Sequence, residues 1–199
     1  MSVSNTKSSP RLNSRDLINI GIYAAIYFAV IMVLSMAGFI PIMMPLLCVI
    51  GPLAGSVPFM LFLTKVKKFG MILIMSLIMG VMMILTGMGW YSLPVSLVTG
   101  LLAEWMWRRG GCRKAGNAVL ACGFFNMWMW GNYLPLFINP NGYVVSGSGY
   151  GADYQAALLA LMPLWMCPVL LVCCFVFGIL GGLLGKTIAK KHFSRAGIA

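Results

Sequence analysis

The stretch that organises this chain is WMWGNYLP, residues 128–135, which closes the fifth long apolar run of the sequence. It leads into the only long polar connection, NPNGYVVSGSGYGADYQ, residues 139–155. Asn-Pro and Asn-Gly favour turns there, because proline fixes φ whereas asparagine and glycine tolerate positive φ. A loop of this length in a compact chain is either a lid or binding loop, or a plain connector. Aromatic and amide side chains thus gather beside the one connection able to cover a site.

The composition identifies an integral membrane protein. Hydrophobic residues make up 61% of the 199 residues, and charged residues only 9%. A soluble domain carries about a quarter charged residues, so this chain has too little charge to cover a surface that faces water. No long polar linker divides the chain. We therefore expect one membrane domain, residues 17–185, between an N-terminal tail, 1–16, and a basic tail, 186–199.

The fourteen lysines and arginines fall into four groups, and each group lies at the end of an apolar run. The groups are Lys7, Arg11 and Arg15; Lys65, Lys67 and Lys68; Arg108, Arg109, Arg113 and Lys114; and Lys186, Lys190, Lys191 and Arg195. The positive-inside rule places such groups on the cytoplasmic side, where they also attract anionic lipid head groups. The net charge of +11 therefore indicates topology, and we expect no nucleic-acid partner.

Six apolar stretches have the length of membrane-spanning helices. A hydrocarbon core about 30 Å thick takes about 20 residues at 1.5 Å each. The predicted spans are 17–38, 43–63, 69–86, 90–107, 115–138 and 163–185, with a short interfacial helix at 153–161. We expect Asn13 and Ser14 to cap the first helix, with Asp16 in its first turn. The sequence thus predicts an all-α bundle of six transmembrane helices with both termini cytoplasmic.

Catalysis has little support in the sequence. The three acids are Asp16, Glu104 and Asp153; by the predicted topology, two lie near the inside and one lies outside. No pair of them can act as general acid and base on one substrate. The sequence has no nucleophilic triad, metal-binding histidine pair or phosphate-binding glycine loop. We therefore expect no enzyme, no resident metal or cofactor, and cysteines that behave as small hydrophobic residues.

Glu104 has two interpretations, because an acid within a span is functional by default. It stands four residues before Arg108, at a spacing that favours an ion pair on one helical face. This interfacial pair is the interpretation we prefer. The alternative is a contact between Glu104 and a cytoplasmic partner.

Small residues at four-residue spacing let helices approach closely in lipid. The first helix carries Ala25 and Ala29 at this spacing, and the last helix carries two such glycine pairs between 178 and 185. For the last helix we expect internal packing. For Ala25 and Ala29 a second interpretation comes from the wider pattern of the chain.

The chain resembles a known transporter family. It shares several features with a substrate-binding S component. These are six short predicted helices, both termini cytoplasmic, a length of 199 residues, the lack of an ATPase motif and the Ala25-x-x-x-Ala29 pattern. S components belong to energy-coupling-factor transporters. The opening stretch LNSRDLINIGIYAAIY, residues 12–27, and GLLAE, residues 100–104, resemble most closely the Trep_Strep group of such proteins.

The resemblance implies a division of labour between subunits. An S component binds a vitamin or similar micronutrient at its outer face, and then associates with a transmembrane T component and two cytoplasmic ATPases. In that family the S component topples in the membrane to deliver its substrate inward. The alanine pair of the first helix packs on the T component, so Ala25 and Ala29 would form the docking face.

The implied substrate site lies at the outer ends of the helices, where the aromatic and amide residues cluster. The candidate binding residues are Trp90, Tyr91, Asn126, Trp130, Asn132, Tyr133, Asn139, Tyr143 and Tyr150. Each aromatic residue would also suit a membrane-interface belt. Asn126, Trp130 and Tyr133 stand at i, i+4 and i+7, which predicts one helical face. On that face we expect Trp130 and Tyr133 to stack on the ligand and the asparagines to orient it.

We expect a mostly planar ligand that is uncharged or weakly charged, since no cation lies on the predicted outer side. The resemblance also argues against nickel or cobalt, because S components for those metals carry an N-terminal histidine cluster and this chain begins MSVSN. Met127 lies beside the aromatic face, and methionine and tyrosine can both ligate haem iron. A tetrapyrrole such as haem is therefore one candidate beside conventional vitamins. Two other protein classes stay open: an autonomous small channel or carrier, and a membrane scaffold without transport activity.

Cysteines at positions 8, 148 and 194, each alone in a chain whose native cysteines are replaced, test the topology. We expect an impermeant thiol reagent to label only position 148 in sealed right-side-out cells, because the cationic groups hold the other two positions in the cytoplasm. Labelling at position 8 or 194 before the membrane is permeabilised would contradict the predicted orientation.

Overall fold

The computed structural model describes residues 12–140 and 151–195, whose regular secondary structure is helical throughout. The α-helices are α1 (Ser14–Ser35), α2 (Met43–Leu63), α3 (Met71–Leu85), α4 (Ser92–Arg109), α5 (Ala115–Asn126), α6 (Leu134–Ile138), α7 (Ala152–Leu161) and α8 (Met166–Arg195). Two 3-10 helices, Met36–Phe39 and Met127–Asn132, extend α1 and α5. The predicted all-α fold is confirmed.

Three stretches are long and apolar enough to cross a membrane by length and composition: Ser14–Phe39, Met43–Leu63 and Met166–Ile188. α3 is apolar but shorter, and α4 has 18 residues. The chain is a multi-pass helical membrane protein, as its composition predicts. The cytoplasmic placement of the two termini stays a prediction.

The long helices form a closed ring around a common core. In ring order they are α1, α2, α8, α5, α4 and α3, and α3 packs again on α1. Across the ring, α2 also contacts α5. There the rings of Phe59 and Phe125 stack with their centroids 4.0 Å apart. Residues from both halves of the sequence thus fill one core.

The N-terminus of α1 has the predicted cap. Asn13 precedes the helix, and its backbone N–H donates to Oδ2 of Asp16 at 2.8 Å. The same oxygen accepts a hydrogen bond from Nζ of Lys68 at 2.7 Å. Asp16 therefore caps its own helix and also ties it to the connection between α2 and α3.

The last helix packs through two glycine ridges. Gly178 and Gly182 lie against α5, whereas Gly181 and Gly185 lie against α2. A Cβ atom on Gly181 would lie 2.7 Å from the Cβ of Ser56, which is closer than packed carbon atoms approach. The expected internal packing of these glycines is confirmed, since only residues without a side chain fit so near two neighbouring helices. The helix also runs on to Arg195, so the segment from 186 to 195 is helical.

The fifth predicted span, 115–138, is not one continuous α-helix. α5 ends at Asn126 and gives way to a 3-10 helix with about three residues per turn instead of 3.6. The prediction that Asn126, Trp130 and Tyr133 share one α-helical face is therefore wrong. Packing overrides the local helical pattern here, because Trp128 and its neighbours must fit against α1 and α4.

Glu104 does not form the ion pair with Arg108 that its spacing predicts. Its Oε2 accepts hydrogen bonds from the backbone N–H groups of Ile72 at 2.9 Å and Leu73 at 3.2 Å. The buried carboxylate therefore caps α3, whose first N–H groups have no partner within their own helix. The Arg108 guanidinium lies instead 5.1 Å from the centre of the Phe69 ring.

Replacing Glu104 by alanine should lower the free energy of unfolding by about 1–3 kcal/mol, because two buried N–H groups would lose their acceptor. Glu104→Gln should lose less, since its amide oxygen can still accept. Thermal unfolding of the purified chain in detergent measures both. Leu101→Ala on the exposed face of α4 is the matched control. Equal losses for Glu104→Ala and Leu101→Ala would contradict the capping role.

Candidate functional site

A cavity of about 520 Å³ lies at the end of the bundle where α1 and α3 end and α2 begins. The two 3-10 helices, α6 and α7 complete its wall. Sites for small molecules commonly measure about 300–1,000 Å³, so the cavity can hold a ligand of vitamin size. By the predicted topology this is the outer end of the bundle.

Methionine dominates the lining of this cavity. Seven of the lining residues are Met32, Met36, Met44, Met83, Met88, Met129 and Met162. Methionine is unbranched and polarisable, so it adapts to irregular shapes and makes favourable contacts between its sulfur and aromatic rings. None of the described residues that line the cavity carries a charge. The lining therefore suits an uncharged, apolar ligand.

Four lining residues carry a polar group: Ser35, Thr86, Asn132 and Tyr133. The hydroxyls of Ser35 and Thr86 donate to the carbonyl oxygen three residues earlier in the chain, at 2.7 and 3.0 Å. The Tyr133 hydroxyl donates to the carbonyl oxygen of Met44 at 2.8 Å. The hydroxyl hydrogens of the lining are therefore engaged within the protein.

Asn132 and Tyr133 are the two predicted binding residues that the structure brings to the cavity. Asn132 ends the second 3-10 helix, which also carries the lining residue Met129, and Tyr133 follows directly. Trp130, predicted to stack on a ligand, is not among the residues that line the cavity, and its indole N–H donates to the carbonyl oxygen of Cys167 at 2.8 Å. Trp130 thus joins the second 3-10 helix to the start of α8.

Asn126 lies deeper in the bundle and does not line the cavity. Its Oδ1 accepts a hydrogen bond from the Tyr27 hydroxyl at 2.9 Å. Its Nδ2 donates to the carbonyl oxygen of Cys122 at 2.8 Å and to Oγ of Ser56 at 3.2 Å. The side chain is fully buried, so it holds helices together in place of orienting a ligand.

The other candidates lie away from the cavity or outside the described residues. Trp90 is 63% exposed and stacks on Tyr91 with ring centroids 4.5 Å apart, an arrangement that suits the membrane interface. Asn139 is exposed at the end of α6. Tyr143 and Tyr150 lie outside the described residues, as does most of the polar loop.

The methionine and the tyrosine suggested as haem ligands do not come together at the cavity. Met127 is half-buried and does not line the cavity, and the Tyr133 hydroxyl is engaged with Met44. Among the described residues, no three His, Cys, Asp or Glu side chains group together in a way that could hold a metal ion.

The methionine lining is the part of the site that sequence reasoning missed. Its members come from five separate segments of the chain, and each one alone looks like an ordinary apolar residue of a span. The only signal in the sequence was the total of 17 methionines. Which of them converge on one cavity depends on how the helices pack.

The alanine pair of α1 lies on the outer surface of the bundle. Ala25 and Ala29 are exposed, and no other atom of the described structure comes within 4 Å of a Cβ placed on Gly21, one turn earlier. Ile18 and Ile22 on the same side are 59% and 51% exposed. These small residues therefore do not pack inside the bundle, and they form an apolar, shallow face of the first helix.

The comparisons with known proteins agree with this architecture. A family model described as "Hypothetical bacterial integral membrane protein (Trep_Strep)" matches residues 14–195, which extend from the start of α1 to the end of α8. No curated protein matches the chain, and neither does any solved structure.

The fully buried Asn126 and the half-buried Asn132 should respond differently to replacement by alanine. Asn126→Ala removes both an acceptor and a donor from a fully buried network, so it should lower the free energy of unfolding by about 1–3 kcal/mol. Asn132→Ala should cost about 1 kcal/mol or less, because this half-buried side chain takes part in a single hydrogen bond with the described residues, from the Ser92 hydroxyl. Thermal unfolding in detergent compares the two variants. A larger loss for Asn132→Ala would contradict this assignment of roles.

Proposed function

The chain belongs to the Trep_Strep family of hypothetical bacterial integral membrane proteins, and we propose that it is the substrate-binding S component of an energy-coupling-factor transporter. It binds a vitamin or similar micronutrient in the methionine-lined cavity. It has no catalytic activity of its own. A transmembrane T component and two cytoplasmic ATPases associate with it and supply the energy of transport.

The observation that carries the proposal is a ligand-sized cavity above a filled core. The cavity lining belongs to one end of the bundle. Toward the middle of the bundle, aromatic side chains fill the space between the helices. Tyr27, Phe59, Phe125 and Trp128 are all fully buried there. A channel needs a continuous path lined for its solute, whereas a blind cavity suits a subunit that captures its substrate. This contrast supports a binding subunit over an autonomous channel.

The exposed face of α1 supplies the second feature that an S component needs, a surface for its transport partner. Ala25 and Ala29 present no side chain beyond a methyl group, and the described elements of this chain leave them uncovered. Small residues let a partner helix approach closely, so that van der Waals packing favours association within lipid. The docking face and the cavity are separate, which allows substrate binding and partner association to be changed independently.

Ala25→Leu and Ala29→Leu should abolish association with the T component and transport, while substrate binding is retained. A branched side chain would hold the two helices apart. The test is affinity purification of the tagged chain from its native membrane, followed by mass spectrometry for a T component and two ATPases. Ala160→Leu, at an exposed alanine of α7, is the matched control and should keep its partners.

The two possible failures of this experiment have different meanings. If the unaltered chain recovers no T component and no ATPases, the proposed function is wrong. If the complex forms but Ala25→Leu and Ala29→Leu assemble as well as Ala160→Leu does, the docking face lies elsewhere on the bundle.

A further inference from the structure

We infer that the cavity selects an uncharged, ring-bearing ligand with a hydrogen-bond acceptor, and that the side-chain amide of Asn132 orients it. The inference rests on the proposed function and deepens it, because it names the chemical class of the substrate. Four features of the cavity lead to this class: its lack of charge, its free donor, the fixed direction of that donor, and its thioethers.

The lining excludes a charged group from the interior of the cavity. Sixteen of its twenty residues are apolar, and the other four are uncharged. A carboxylate, phosphate or ammonium group that entered would lose its water without gaining an opposite charge, at a cost of several kcal/mol. The part of the ligand that enters is therefore neutral.

Among the described residues of the lining, Asn132 supplies the one side-chain donor that is free to meet a ligand. The hydroxyl hydrogens of Ser35, Thr86 and Tyr133 are engaged with backbone carbonyl oxygens. By contrast, Nδ2 of Asn132 makes no hydrogen bond to any described residue, and the side chain is half-buried at the cavity wall. An amide donor facing an apolar cavity calls for an acceptor on the ligand, such as a carbonyl oxygen, an ether oxygen or a ring nitrogen.

Ser92 fixes the direction in which that donor points. The Ser92 hydroxyl donates to Oδ1 of Asn132, so the acceptor end of the amide is occupied. Ser92 itself is fully buried at the start of α4. Gly131, the residue before Asn132, also packs closely on Ser92, since a Cβ on Gly131 would lie 3.0 Å from the Cα of Ser92. The amide is thus held between two helices with its N–H groups available, which selects acceptors and disfavours donors.

The methionines favour a ring-bearing ligand. Their thioethers contact aromatic rings favourably and adapt to the outline of a ligand. Gly51 makes room for Met129, because a Cβ there would lie 2.3 Å from Cε of Met129. Thioethers also ligate soft metal ions such as Cu(I), and the experiment below includes that outcome.

Three probes with one ring system separate these requirements: 2-acetylnaphthalene, 2-ethylnaphthalene and 2-naphthoate. The first has a neutral acceptor, the second has none, and the third is charged. We expect the purified chain in nanodiscs to bind 2-acetylnaphthalene severalfold more tightly than 2-ethylnaphthalene, and at least about tenfold more tightly than 2-naphthoate. Binding is measured by thermal stabilisation and by saturation-transfer NMR.

Asn132→Leu should abolish the preference for 2-acetylnaphthalene over 2-ethylnaphthalene, because leucine has no hydrogen-bond donor. Both probes should still bind, since leucine is apolar and similar in size to asparagine. Asn117→Leu is the matched control. It makes the same replacement at a half-buried asparagine that does not line the cavity, so it should leave the preference unchanged.

Four results would overturn the inference. These are no binding of any probe, equal binding of 2-naphthoate, a preference that survives in Asn132→Leu, and stoichiometric copper or silver that is lost in Met129→Leu. These measurements use the chain alone, so a negative result would overturn this inference without deciding the proposed function. The proposed function is wrong if no T component or ATPases associate with the chain.

Discussion

The rest of this bundle depends on one polar cluster at its centre. Asn126 of α5 bonds to Tyr27 of α1 and to Ser56 of α2, and Ser56 Oγ lies 3.2 Å from the carbonyl oxygen of Gly178 in α8. Trp128 adds a bond to the Tyr27 hydroxyl at 3.2 Å. Water cannot satisfy polar groups inside a membrane, so these groups must find one another. Their pairing fixes the rotation and depth of four helices that apolar packing alone would leave free to slide.

The cluster also explains why α1 packs into the bundle on one side and exposes its alanine pair on the other. Tyr27 points inward to Asn126, and residues two positions away in either direction lie on the opposite side of an α-helix, at about 100° per residue. Ala25 and Ala29 are those residues, so the bond that anchors α1 turns its alanines toward the membrane. The cavity lies just beyond the cluster, at the end of the bundle where α1 ends. The filled centre thus closes the inner end of the cavity, while Ala25 and Ala29 stay on the outside of the bundle.

Much of this architecture could be predicted from the sequence. Composition alone identified a membrane protein, and the spacing of cations and apolar runs located the start of each long helix to within a few residues. The ends of α5 and α8 were missed, because α5 stops at Asn126 and α8 runs on to Arg195. Asn13 was recognised as a cap of α1 with Asp16 in the first turn, although Ser14, also expected to cap, is the first residue of the helix. The glycines of α8 were recognised as an internal packing surface. Of the candidate site, Asn132 and Tyr133 were found, because an amide and a phenol beside a polar loop are distinctive in an apolar chain. These features are local, since hydropathy, capping and small-residue spacing act between residues near one another in sequence.

Only the tertiary structure decided which residues meet. Glu104 caps a helix that begins more than thirty residues earlier, and Tyr27 bonds to Asn126 at a separation of 99 residues. The end of α5 at Asn126 and the convergence of seven methionines likewise depend on neighbouring helices. Apolar spans resemble one another in sequence, because lipid and protein interior favour the same side chains. The sequence by itself therefore determined that the helices form and where they lie along the chain. Packing and the pairing of buried polar groups determined which faces turn inward, and hence where the cavity is.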